Sequence, residues 1–181
     1  MTSVPKRLSA SSVMRVQSLS PRATKGTLAF GPLTVACALG RAGATWRKRE
    51  GDGATPRGSY RLVRVLYRAD RIARPVTRLP VRPIRPDNGW CDDPGHARYN
   101  SPVRLPFAAS HERLWRDDHL YDLVVILDHN QSPRIQGRGS AVFFHLAGPG
   151  YTPTAGCIAV RLSDMRRLLA CANDDTVMRI D

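Results

Sequence analysis

Short apolar or alternating runs, each closed off by glycine or proline, set the tightest limit on what this chain can become. They fall at residues 27–30, 33–39, 60–66, 123–127 and 141–146. Each is too short for a typical helix, and the β-branched and aromatic content suits strands. A further strand is expected from Met14 to Gln17. The 14 glycines and 14 prolines among 181 residues suit many turns rather than a helical bundle, and a 42% hydrophobic share supports a real core. The expectation is a mainly β domain, a sandwich or barrel. Near the end, Ser163 reads as an N-cap, with Asp164 in the first turn and Met165, Leu168 and Leu169 at helical spacing. A short helix is also expected over residues 110–119. Residues 74–107, rich in Pro, Arg and Asn, read as one elaborated loop. Residues 1–13 are Ser-rich and basic without the apolar stretch of a secretory signal, so they are expected to be a disordered leader before a single domain over 14–181.

The net charge of +13 calls for an anionic partner or surface; nucleic acid, acidic phospholipid and anionic cell-wall polymer all qualify. The 28 basic residues are mostly arginines scattered along the chain, with no dense basic block and no nucleic-acid motif, which argues against nucleic acid. No run is long and apolar enough to span a membrane. Four cysteines at irregular spacing make neither a disulfide framework nor paired metal clusters. His96, His111, His119 and His129 show no ligand-like spacing, so no metal and no cofactor are expected.

Cys157 follows Gly156 and lies downstream of a strand-like run that contains His145. A thiol beside glycine, with a histidine to take its proton, is the minimal equipment of a thiolate nucleophile. The missing Cβ at Gly156 lets a carbonyl substrate approach, and the N–H groups around Cys157 could face an oxyanion. Most free cysteines are simply small buried hydrophobes, and on these residues alone the two readings stand level. The other thiols compare poorly. Cys37 sits in an apolar run, Cys91 precedes Asp92 and Asp93, and Cys171 falls on the apolar face of the last helix. Cys157 is therefore expected to be the only thiol with elevated reactivity.

The run Thr154-Ala155-Gly156-Cys157-Ile158, preceded by the loop 147–153 and His145, resembles the signature of L,D-transpeptidase catalytic domains of the YkuD type. The stretch Asp52-Gly53-Ala54-Thr55-Pro56-Arg57-Gly58-Ser59-Tyr60 is similar to that family's turn into a strand, and the likeness covers residues 25–170. It departs from the pattern in a shorter loop after His145, in Ala155, in Ala159, and in an insertion around residues 87–94. The resemblance implies a YkuD-like β-sandwich or barrel with a short C-terminal helix after the cysteine segment. It implies a cysteine-dependent acyltransferase acting on peptidoglycan stem peptides through a thioester. Cys157 would be the nucleophile, His145 the general base and acid, and the Gly156 backbone part of the oxyanion hole. A backbone carbonyl would orient the histidine. Thr154, Tyr151, Trp90 and Arg161 are the candidate substrate contacts, with packing or solvated charge as the plain alternative for each. The resemblance also implies the cell envelope and a role in cell-wall synthesis and cell shape, and a monomer is expected. A Cys amidase or carboxypeptidase on the same scaffold, and a non-catalytic cell-wall-binding domain, remain open.

Overall fold

Period-two alternation decides which way each strand of this protein faces. The structure is a computed structural model describing residues 12–181, so most of the expected leader lies outside the described residues. The strands in chain order are β1 (Val13–Ser18), β2 (Lys25–Phe30), β3 (Leu33–Ala38), β4 (Ala44–Thr45), β5 (Thr55–Pro56), β6 (Gly58–Tyr67), β7 (Val81–Pro83), β8 (Asn88–Cys91), β9 (Ser101–Arg104), β10 (His111–Arg113), β11 (Leu123–Leu127), β12 (Phe143–Leu146), β13 (Ile158–Val160) and β14 (Val177–Ile180). One helix, α1 (Leu162–Cys171), follows β13.

Eight strands close on themselves in the order β11-β12-β13-β3-β2-β1-β14-β6, with β6 returning to β11 and β7 attached to β6. Closure removes the open edges that an eight-stranded sheet would otherwise expose. One residue of each alternating pair fills the interior: Met14 and Val16, Leu28 and Phe30, Val35 and Cys37, Phe144 and Leu146, Ile158 and Val160, Met178 and Ile180. Met165, Leu168 and Leu169 of α1 join the same cluster. The expected helix is thus present, but it starts at Leu162 after an extended Arg161 that makes no side-chain cap, not after Ser163. Cys171 is exposed, a correction to its expected place on the apolar face, because the 165, 168, 169 stripe has rotated past it. No helix among the described residues is long and apolar enough to cross a membrane.

The run 123–127 is buried at every position, which means both faces of β11 are covered. Leu123, Val125 and Leu127 face the barrel interior. Val124 and Ile126 face outward into a second apolar cluster with Ile84, Trp90, Leu114, Tyr121 and Phe143. That cover is a small antiparallel sheet, β10-β8-β9, which lies within and just after the stretch expected to be one long loop. The expected helix over 110–119 is not there. Its start is the strand β10, because Glu112 pairs with Trp90 of β8 and the ladder satisfies the backbone instead.

Candidate active site

The same alternation that fills the barrel puts the sulfur and the imidazole on its outer wall. In β12, Phe144 and Leu146 point inward, so Phe143 and His145 point outward. In β13, Ile158 and Val160 point inward, leaving Cys157 and Ala159 outside. The strands run parallel, with His145 opposite Ala159, and that small side chain leaves room beside the ring. His145 and Cys157 both line a cavity of about 560 Å³ between the barrel wall and the segments around the small sheet.

The cysteine segment is held by its neighbours. The Thr154 N–H donates to Leu39 O at 2.9 Å, and Arg41 N–H donates to Thr154 O at 2.9 Å, tying this segment to the end of β3. Thr154 Oγ1 donates to Cys157 O at 2.7 Å and accepts from Gly156 N–H at 3.1 Å. Gly156 adopts φ +136, and a Cβ there would lie 2.8 Å from Ala54 O, so the position admits only glycine without rearrangement. The Cys157 thiol donates to Ala141 O at 3.3 Å, and its sulfur accepts from Phe143 N–H at 3.3 Å. Burial pushes this thiol up to about 12; the Glu112 carboxylate adds to the rise, while Phe143 N–H and the Lys48 ammonium oppose it.

His145 is 5% exposed. Its Nδ1 lies 2.9 Å from Leu146 O, so a proton on Nδ1 is donated to that carbonyl and Nε2 is left as the basic nitrogen. The resemblance implied a backbone carbonyl against this ring, and Leu146 O is the carbonyl within hydrogen-bond distance of Nδ1. Tyr121 packs edge-on against the ring at 5.1 Å. Burial lowers the imidazole to about 4 despite the Leu146 carbonyl, which favours the charged form. No hydrogen bond joins the thiol to the imidazole among the described residues, and both groups rest neutral.

Four cavity residues went unnoticed in the sequence. Lys48 is 8% exposed and ion-paired with Asp52. Tyr121 donates its hydroxyl to Glu112, whose carboxyl burial raises above its ordinary value, and Arg116 lies 3.8 Å from that carboxylate. The only sequence signals were the Lys48–Asp52 and Glu112–Arg116 spacings of four residues, which read equally well as surface pairs.

Among the four candidate substrate contacts, Thr154 lines the cavity, while Tyr151, Trp90 and Arg161 do not. Arg161 lies over the Tyr151 ring at 5.4 Å, so the two satisfy each other. Trp90 is buried edge-on against Phe143 and donates its indole N–H to Asn100 Oδ1 at 2.9 Å. It therefore stands apart from its expected role: it lines no part of the cavity that holds Cys157 and packs in the second core cluster. Its contribution is indirect. Asn100 Oδ1 also accepts Ala141 N–H at 3.2 Å, and the Ala141 carbonyl is the acceptor of the Cys157 thiol hydrogen bond. Cys37 and Cys91 are buried, and burial pushes the Cys37 thiol up to about 12. Cys171 is exposed, so accessibility does not single out Cys157. No group of three His, Cys, Asp or Glu among the described residues is placed to hold a metal ion.

The barrel, the histidine on β12 and the Gly-Cys segment before β13 agree with a comparison against known families: the model described as L,D-transpeptidase catalytic domain, YkuD, matches residues 22–180. Neither a curated protein nor a solved structure gave a match. With its fold accounted for and nearly its whole length matched, the chain belongs to the L,D-transpeptidase catalytic domain family.

Proposed function

We propose that this protein is a cysteine acyltransferase acting on peptidoglycan stem peptides. The observation that carries the reading is the placement of His145 and Cys157 on one outward face of adjacent parallel strands, both lining a single cavity. His145 Nε2 takes the thiol proton as the Cys157 sulfur attacks an amide carbonyl carbon. The oxyanion that forms is met by a backbone amide. Gly156 N–H is already bound to Thr154 Oγ1 and Ile158 N–H belongs to the ladder with β12, so the amide of Cys157 takes this role. The imidazolium then returns its proton to the amide nitrogen, the C–N bond breaks, a D-amino acid leaves, and a thioester remains. A second stem peptide's amine attacks the thioester, gives up its proton to Nε2, and displaces the Cys157 thiolate, which is reprotonated.

Tetrapeptide muropeptides incubated with the protein and followed by mass spectrometry test this. The expected result is loss of the terminal residue, a thioester adduct on Cys157, and a new cross-linked amide that grows with added amine acceptor. Hydrolysis product alone at any acceptor concentration would make the protein a carboxypeptidase instead. No turnover and no adduct with folded protein would refute acyl transfer.

A further inference from the structure

A second cleft lies beside the outer cluster and away from Cys157. It measures about 840 Å³ and opens between the barrel face and the small sheet. Its floor is apolar, with Leu66, Trp90, Val103, Phe107, Leu114 and Ile126. Its rim carries Arg64, Arg82, Arg85, Arg98 and Arg104, and no Asp or Glu lines it.

Strand register explains how three of these elements feed one surface. The ladder skips Val63 where β6 meets β11, so Ile126 stands opposite Arg64. Leu66 stands opposite Arg82 of β7. Residues paired in register share a face, and so do i and i+2, so Ile126, Arg64, Leu66 and Arg82 form one continuous outer patch. Two rim arginines are already committed: Arg98 donates to Pro102 O at 2.7 Å, and Arg104 pairs with Asp87. Arg64, Arg82 and Arg85 make no side-chain hydrogen bond or ion pair among the described residues. Three unpaired guanidinium groups over an apolar floor repel one another, and an anion set among them relieves that repulsion.

We propose that this cleft is a docking site for an acidic peptide segment of a partner protein, with apolar side chains interleaved between its carboxylates. Guanidinium forks suit carboxylates in a bidentate pair, and the interleaved apolar side chains match the floor. A bare polyanion would leave that floor unused. A membrane surface fits less well, because among the described residues the large exposed apolar side chains that would enter a bilayer, Leu19, Trp46, Val76 and Ile135, all lie off the cleft. Strand addition is not the mode either. Pro83 on β7 and Pro102 on β9 interrupt the available N–H rows, so side chains carry the recognition.

Fluorescence anisotropy with a labelled synthetic peptide of alternating Glu and Leu tests the site. Polyglutamate of equal charge, polyphosphate and phosphatidylglycerol vesicles serve as competitors. The mixed peptide is expected to bind most tightly. The combined variant Arg64→Gln, Arg82→Gln, Arg85→Gln should weaken it at least about tenfold. Removing the same charge at Arg47, Arg49 and Arg138, a separate basic hollow, should change it about twofold or less. The single variant Arg85→Gln, at an exposed position, gives a check that does not depend on the triple variant folding. Equal losses in the two triple variants, no loss in Arg85→Gln, or competitors as tight as the peptide would overturn the proposal. Cys157 takes no part in this readout, so the result stands apart from that for acyl transfer.

Discussion

Replacing His145 with asparagine should flatten one part of the protein's acid sensitivity by a calculable amount. The imidazole is buried, and its folded value of about 4 lies well below the ordinary 6.5. Folding therefore favours the neutral ring. Above the unfolded value, both states hold it neutral and its titration costs nothing. As pH falls through the window from 6.5 toward 4, the unfolded chain takes up a proton that the folded one refuses, and stability is lost. Two such values give a loss of about 2 kcal/mol between pH 7 and pH 5, with a ceiling of about 3 kcal/mol below the folded value. Asparagine keeps a donor near the position of Nδ1 for Leu146 O and carries no titratable group. Urea unfolding of both proteins across this range measures the difference. Titration of His129 and Glu112 occurs in both and cancels in the comparison to the extent that the sites are uncoupled. A wild-type-minus-variant difference that stays constant within about 0.5 kcal/mol from pH 7 to pH 5 would refute the neutral, desolvated imidazole.

Other outcomes follow from the same geometry. In native protein near neutral pH, iodoacetamide should label exposed Cys171 before buried Cys157, with Cys37 and Cys91 protected, as peptide mapping would show. A carbapenem, if the acyl-transfer reading is right, should reverse that order and add one drug mass to Cys157 alone, lost in Cys157→Ala on intact-mass analysis. Gly156→Ala should abolish that acylation and cost about 1–3 kcal/mol in denaturant, since its Cβ meets Ala54 O at 2.8 Å with φ at +136. Asn100→Asp should cost about 3 kcal/mol or more at pH 7, because a buried carboxylate would replace the amide that donates to His129 O and Asn130 O; a midpoint within a degree or two of wild type would contradict this.

The parts of the fold that were legible in the sequence are those whose burial is decided locally. Residues 123–127 read as strand because five apolar residues in a row leave little choice, and the Met165, Leu168, Leu169 spacing revealed α1. The small sheet was hidden for the opposite reason. Strands β7 to β10 carry Arg, Pro, Asn and His, and pair with partners as far apart as Gly89 and Arg113, so no short window shows them. The stretch 110–119, expected as a short helix, is set at its start by a partner far along the chain, with Trp90 opposite Glu112. At the candidate site, Cys157, His145 and Thr154 lie close together in sequence, and all three line one cavity. Lys48, Glu112 and Tyr121 reach the same cavity only through closure of the barrel. Trp90, an aromatic in a long insertion, suggested contact with substrate; it stands outside the Cys157 cavity and donates to Asn100.

The resting state of the pair bears on how a thiolate could arise here at all. An ion pair between Cys157 and His145 is disfavoured from both sides, with the thiol near 12 and the imidazole near 4. Transfer of the proton before substrate arrives would place two charges in a dry pocket beside Glu112, at a cost that burial makes large. Proton transfer concurrent with attack avoids that state, because the negative charge passes from sulfur to the carbonyl oxygen as it forms. The thiol first has to leave Ala141 O, and Ala141 itself holds φ +50, an unfavourable conformation for a residue with a Cβ. Asn100 holds that carbonyl in place through Ala141 N–H. The residue that anchors the small sheet's tryptophan therefore also sets where the sulfur waits, and under the proposed acyl transfer a substrate entering the cavity competes with Ala141 for the thiol before His145 takes its proton.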